Sequence, residues 1–277
     1  MTHIWIVQNH PKLLDVNANL AEVLDYVEKA SKEGADLIIF PECVFSGYMI
    51  NTNTELEKVA EPIPGPSINK IIELCERYSI YAALGMLEKR ENKYFNSAVL
   101  LGPKGFIFKY SKSHLSGVGA DKLVSEGDRP FEVADTPFGK LGLLICYDIR
   151  FPEASRCLAL KGCQLILNIS NWPKGAEVNP NLFIKARAAE NNVYVIGANR
   201  VGSERGIEYI GSSAVINPDG KCIVKASNEE KVIKINLDIR NLQPGIKYLE
   251  ASNIKLNIFK DRRPDLYKCI TNKVENF

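Results

Sequence analysis

The stretch Lys140-Leu-Gly-Leu-Leu-Ile-Cys-Tyr-Asp-Ile-Arg-Phe-Pro152 decides how the chain is read. Five of the six residues from Leu141 to Cys146 are apolar and the turn residues Thr136-Pro-Phe-Gly139 precede them, which predicts a short buried strand. Pro152–Lys161 predicts a helix with proline in its first turn. Cys146 then stands where a core strand ends and a helix is about to begin, facing the crevice at the carboxyl ends of the strands. Free N–H groups at a helix start favour a thiolate, so a lowered thiol pKa is expected there. A buried structural cysteine is the competing reading, and this stretch alone does not separate the two.

The 277 residues carry a net charge of +2, with 45% hydrophobic and 25% charged residues, the profile of an ordinary soluble globular protein. Such a balance gives no reason to expect a nucleic-acid or membrane-surface partner. No apolar run approaches the roughly 18 residues of a membrane span. The start Met-Thr-His-Ile-Trp-Ile-Val lacks the basic and apolar regions of a signal peptide, so the expected location is cytoplasmic. Seven cysteines, odd in number and without a Cys-x-x-Cys pair, argue against a disulfide framework and a zinc site. With only His3, His10 and His114 in the chain, a histidine-rich metal centre is not expected either, and the chemistry is read as free of metal and cofactor.

Outward from the opening stretch, strands and helices alternate. Strands are expected at Ile4–Gln8, Asp36–Phe40, Ile80–Leu87, Asn96–Leu101, Phe106–Lys109, Cys163–Ile169, Val193–Gly197, Ser212–Ile216, Lys221–Val224 and Val232–Leu237. Helices are expected at Asp15–Glu33, Pro66–Tyr78 and Asn181–Asn191. No linker divides the chain, so residues 1–277 read as one α/β domain, with a core over about 1–240. The tail 241–277 shows no clear periodicity and is expected to pack on the domain or on a partner subunit. About a dozen strands is too many for one comfortable open sheet, so two packed sheets with helices outside are expected.

Three reactive side chains share one setting, since Glu42, Lys112 and Cys146 each follow an apolar strand. A thiol nucleophile needs a base and a positive group or N–H donor for the oxyanion. Of the histidines only His114 is placed to act as a base, and it reads better as a structural hydrogen-bonding residue. A partly buried carboxylate suffices, which points to Glu42 as base, with Lys112 and the Tyr147 backbone N–H holding the oxyanion. Tyr48, His114, Asn171 and Trp172 are candidates for lining a substrate pocket, while Arg150 and Glu153 read as structural ion-pairing residues.

The segments Phe40-Pro-Glu-Cys-Val-Phe-Ser-Gly-Tyr48, Tyr110-Ser-Lys-Ser-His-Leu115 and Leu144-Ile-Cys-Tyr-Asp-Ile-Arg-Phe-Pro-Glu153 resemble, in order, the three signature blocks of the nitrilase superfamily of carbon–nitrogen hydrolases. Arg262-Arg-Pro-Asp-Leu-Tyr267 is similar to tails found in many members. The resemblance implies an αββα sandwich, a Glu-Lys-Cys triad and a homodimer or higher homo-oligomer. Carried over by position, it makes Glu42 the general base, Lys112 the stabiliser of the intermediate and Cys146 the acylated nucleophile. Many members have a second glutamate eight or nine residues after the lysine. Here those positions are Ala120 and Asp121, so Asp121 is the first substitute and Glu126 the alternative if the loop bends back. The implied activity is metal-free hydrolysis of a small-molecule amide. A nitrilase, an N-carbamoyl amino acid hydrolase, or a non-catalytic binding protein that keeps the fold are the alternatives.

Overall fold

The computed structural model describes residues 1–272. Strand β1 (Thr2–Gln8) leads to helix α1 (Val16–Lys32) and β2 (Leu37–Ile39). The Asp15 side chain caps α1 by accepting from the Ala18 N–H at 3.1 Å. Helices α2 (Asn53–Val59) and α3 (Pro66–Tyr78) precede a meander of β3 (Tyr81–Arg90), β4 (Lys93–Gly102) and β5 (Gly105–Ser111). The second half opens with the hairpin of β6 (Val133–Thr136) and β7 (Gly139–Ile145), then runs through α4 (Pro152–Leu160), β8 (Leu165–Ser170), α5 (Ile184–Asn191) and β9 (Tyr194–Asn199). The small hairpin β10 (Ser203–Glu204) and β11 (Ile207–Glu208) follows, then β12 (Ala214–Ile216), β13 (Cys222–Lys225), β14 (Lys231–Leu237) and a tail hairpin of β15 (Ile246–Leu249) and β16 (Ile254–Asn257).

Two six-stranded mixed sheets result, in the orders β14-β1-β2-β3-β4-β5 and β13-β12-β9-β8-β7-β6. They pack face to face with helices outside, the expected αββα sandwich. The alternation in β1 and β2 shows how: Ile4, Ile6, Leu37 and Ile39 face the second sheet, while Trp5, Val7 and Ile38 face a separate cluster with α1 and α3. Burying each such aliphatic side chain contributes about 1.5–3 kcal/mol.

Three local features differ from the expectations. Helix α2, which was not expected, is too short and polar to show a periodicity; Thr52 caps it, accepting from the Glu55 N–H at 3.2 Å. Strand β6 lies just before the Thr136–Gly139 turn, where only the turn was read. The helix expected at Asn181–Asn191 starts at Ile184, because Asn179–Phe183 form a wider π-type turn that leaves Leu182 exposed. The tail lies against the second half: the Gly245 N–H donates to the Asn191 carbonyl (2.9 Å), and Arg156 sits over the Phe259 ring. Residues 273–277 of the expected tail lie outside the described residues.

Candidate active site

Glu42 follows β2 in a loop zipped to β3. The Phe40 N–H donates to the Ala83 carbonyl (2.8 Å), the Val44 N–H to the Gly85 carbonyl (2.9 Å) and the Gly85 N–H to the Pro41 carbonyl (3.1 Å). The strand comes so close that a Cβ at Gly85 would stand 2.6 Å from Glu42 Cα. Lys112 follows β5 directly, its N–H donating to the Asn96 carbonyl and its carbonyl accepting from the Gly127 N–H, both at 2.8 Å. Cys146 follows β7 directly, with φ at 47°. A left-handed backbone at a residue with a side chain costs on the order of 1–2 kcal/mol, so the turn needs support. Asp148 supplies it by accepting from the Ile145 N–H (2.9 Å), and Arg187 donates to the Ile149 and Arg150 carbonyls, both at 2.9 Å.

The side chains of Glu42 and Lys112 are fully buried and Asp121 nearly so. Lys112 Nζ donates to Glu42 Oε1 at 2.9 Å and to Asp121 Oδ2 at 2.7 Å. Asp121 Oδ2 also accepts from the Ser116 N–H and hydroxyl. Glu42 Oε2 is buried with no hydrogen-bond partner. The two carboxylates sharing one ammonium diverge. Burial outweighs Lys112 and holds the Glu42 carboxyl above the usual range. Burial also opposes the Asp121 charge, but Lys112, Ser116 and Asn96 together bring that carboxyl below it. Lys112 pays for burial as well, yet Glu42 and the surrounding negative groups keep it well above an ordinary lysine.

Cys146 differs from the expectation. Its turn, Cys146–Arg150, is a single 3₁₀ turn, and α4 starts only at Pro152. The thiol is pushed well above its ordinary pKa, first by burial and then by the Glu42 charge, with Lys112 and the Asn171 backbone N–H pulling the other way. The helix-start effect on the thiol is therefore overridden by burial and the neighbouring carboxylate.

A cavity of about 160 Å³ opens beside Cys146. Tyr48, Asn171 and Trp172 line it, together with Tyr147, Ser116 and Val118. His114 does not: its ring nitrogen bonds Asp148 at 2.7 Å and its ring stacks 3.7 Å from Phe151, so it braces the elbow. Glu126 is exposed and Asp121 alone takes the place beside Lys112, because the short 3₁₀ turn at Gly119–Lys122 delivers it there. Arg150 is also placed differently from the expectation. Among the described residues neither it nor Glu153 forms an ion pair; Arg150 lines the cavity and lies near the Tyr147 and Phe183 rings. A larger hollow of about 530 Å³ between α4 and the tail holds none of the strand-tip residues.

Sequence reasoning missed several contributors. Asn96 on β4 donates to both Glu42 and Asp121; its signal in the sequence was a polar pair, Asn96-Ser97, ahead of the apolar run Ala98–Leu101. The buried pair Arg200–Glu204 holds the Tyr48 loop, Glu204 accepting from the Tyr48 and Met49 N–H groups at 3.0 and 2.9 Å. Asn179, whose Oδ1 is buried and unpartnered, lines the cavity. Among the described residues no three metal-ligating side chains converge.

Two packed mixed sheets flanked by helices, with an acid, a lysine and a thiol at their strand tips, define an αββα sandwich with a polar cluster at one end. The family model described as carbon–nitrogen hydrolase matches residues 4–247. The chain belongs to that family, within the nitrilase superfamily. It is 36% identical over 276 residues to a nitrilase of Pyrococcus abyssi, covering 96% of this chain and 99% of that one. It is 33% identical over 272 residues to an omega-amidase of Bos taurus, covering 92% and 93%. A solved amidase from Nesterenkonia sp. shares the fold at a TM-score of 0.82 and 24% identity, over 97% of this chain and 96% of that one. A glutamate-to-glutamine mutant of the Nesterenkonia enzyme carries the acetamide moiety of fluoroacetamide on its active-site cysteine.

Proposed function

We propose that the protein hydrolyses a small amide bearing a carboxylate, through a thioester on Cys146. The observation that carries this reading is the unpartnered, buried Glu42 Oε2 in a site where Lys112 already occupies Oε1 and the Cys146 thiol stands on the facing wall. Glu42 takes the thiol proton as the sulfur attacks the amide carbon. Lys112 and the Tyr147 N–H hold the resulting oxyanion. Glu42 then passes the proton to the amide nitrogen, the C–N bond breaks and ammonia leaves. Water, deprotonated by Glu42, attacks the thioester; the C–S bond breaks, the acid departs and the thiol recovers its proton. Asp121 stays ionised and keeps Lys112 charged throughout, the division of labour expected of carboxylates whose pKa values are pushed apart.

The cavity is small beside the roughly 300–1,000 Å³ of drug-sized sites, which favours a short substrate. Arg150, which lines the cavity without a carboxylate partner among the described residues, suits a substrate carboxylate. Omega-amides, the class named for the Bos taurus relative, have that shape. A panel of omega-amides, short aliphatic amides, carbamoyl amino acids and nitriles, read by ammonia release, tests the proposal. Omega-amides are expected to turn over fastest, with Arg150→Gln raising their KM and leaving neutral amides unchanged. Turnover of nitriles alone, or full activity in Cys146→Ala, would overturn it.

A further inference from the structure

The Asn96 amide stands where the charged groups of the site meet. On β4 and fully buried, its Nδ2 donates to Glu42 Oε1 at 2.7 Å and to Asp121 Oδ1 at 3.0 Å. Its Oδ1 accepts from the Cys43 thiol at 3.8 Å. These partners fix which end of the amide is nitrogen, because two carboxylates only accept while a neutral thiol donates. Both amide hydrogens are thus committed, one to each carboxylate, and the amide ties together two negative groups that would otherwise repel. The Asn96 carbonyl also accepts from the Lys112 N–H, so one residue touches both partners of the ammonium and the backbone that carries it.

The consequence falls on Glu42. Oε1 receives two donors, Asn96 and Lys112, while Oε2 has none. A carboxylate free to rotate about its last torsion would exchange its two oxygens; one pinned by two donors does not. We infer that Asn96 is a positioning residue that locks Glu42 so that Oε2 alone is presented for proton transfer with Cys146 and water. This rests on the proposed role of Glu42 as base, and no contact of Asn96 with substrate is involved.

Asn96 also acts on protonation. Its donors favour the ionised form of both Glu42 and Asp121, opposing burial. The other titratable groups facing Glu42 are Lys112 and Asp121 from beyond β5, Cys146 from the end of β7, Cys43 and Tyr48 from its own loop, and Tyr209 beyond β11. Removing Asn96 takes one donor from each carboxylate; Asp121 keeps Lys112 and Ser116 as donors, whereas Glu42 keeps Lys112 alone. The pH at which Glu42 becomes a competent base then moves up.

The test compares wild type, Asn96→Ala and Asn96→Ser, the last retaining a hydroxyl donor. The rate of Cys146 alkylation by iodoacetamide, followed by peptide mass mapping across pH, reads proton removal without requiring turnover. In Asn96→Ala the plateau rate and kcat are expected to fall about 10²-fold, the loss typical of a misplaced catalytic group. KM should stay near the parent's and the acid-side midpoint should move to higher pH, with Asn96→Ser intermediate. A folded Asn96→Ala with unchanged alkylation and kcat would overturn the inference. So would a change in KM alone, or failure of both variants to fold, which would assign Asn96 to stability. If wild type alkylates at Cys146 but releases ammonia from no amide, the proposed activity fails while the alkylation profile still judges Asn96.

Discussion

The two sheets are built on one plan. Read from β14 to β5 and from β6 to β13, each runs antiparallel, parallel, parallel, antiparallel, antiparallel, with helices in the same crossovers. Their chemistry is not shared in the same way. The first half supplies the buried ion cluster of the site: Glu42 after β2, Lys112 after β5 and Asp121 in the loop that follows, with Asn96 between them. The second supplies the thiol after β7 and the Asn171 backbone N–H after β8. Just beyond β8, the counterpart of β2 in the second sheet, stands Asn171, whose Nδ2 donates to the Glu42 carbonyl at 3.0 Å and bridges the halves. One scaffold thus keeps the ions fixed relative to one another and sets the Cys146 thiol on the opposite wall. The proton transfer proposed above would cross between the sheets, whose spacing is held by a shared apolar core.

Removing the second wall's contribution should cost most. Cys146→Ala is expected to lower kcat by about 10⁴-fold or more, with thermal unfolding close to the parent's because the residue is a modest part of the core. Next comes the cation. Lys112→Met leaves Glu42 and Asp121 buried without it, and should cost about 3–5 kcal/mol of stability and about 10³-fold in kcat, read by denaturant melts and ammonia release. Asp121→Asn has a smaller effect with an informative sign. The Asp121 charge raises the Glu42 pKa, so its loss should move the acid limb of kcat/KM to lower pH, opposite to the shift expected for Asn96→Ala. Gly85→Ala pushes a methyl against the Glu42 loop and should cost about 1–3 kcal/mol as overpacking, with kcat falling more than KM rises. Smallest is Glu126→Gln, expected to change stability by under about 0.5 kcal/mol and the pH profile not at all. A large effect there would return Glu126 to the site.

In wild type, activity should decline on the acid side at a pH above the usual glutamate range. On the proposed role of Glu42 as base only its ionised form works, and burial raises its pKa. The sign follows from the free form required: as pH falls through the raised pKa, the carboxylate is lost and proton transfer from Cys146 stops.

How much of this was legible in the sequence follows from the range of each interaction. Strand tips were readable because apolar runs end sharply at Pro41, at Ser111 and at the Cys146 elbow. Helix α3 was legible to the residue because Pro66 opens it and its apolar face repeats. The meeting of Asn96 with Glu42 and Asp121 was not, since it depends on the register of β4 against its neighbours and on a 3₁₀ turn in a polar loop. The thiol's pKa was misjudged for a related reason. The sequence displays the start of a helix, whereas burial and a neighbouring carboxylate are properties of the packed sandwich. Arg150 looked like an ion-pairing residue because charges near a turn usually are; its freedom is visible only once the cavity is.

Alkylation with chloroacetamide, an amide-shaped reagent, tests most directly the claim that Glu42 activates a buried thiol across the gap between the sheets. Cys157, Cys222 and Cys269 are exposed and Cys146 is buried, so simple exposure favours the other three. The expected result is inactivation of the wild type in proportion to label on Cys146, slowed by substrate, with labelling slowed but not abolished in Glu42→Gln. Inactivation with Cys146 unlabelled, or full activity with Cys146 fully labelled, would contradict it.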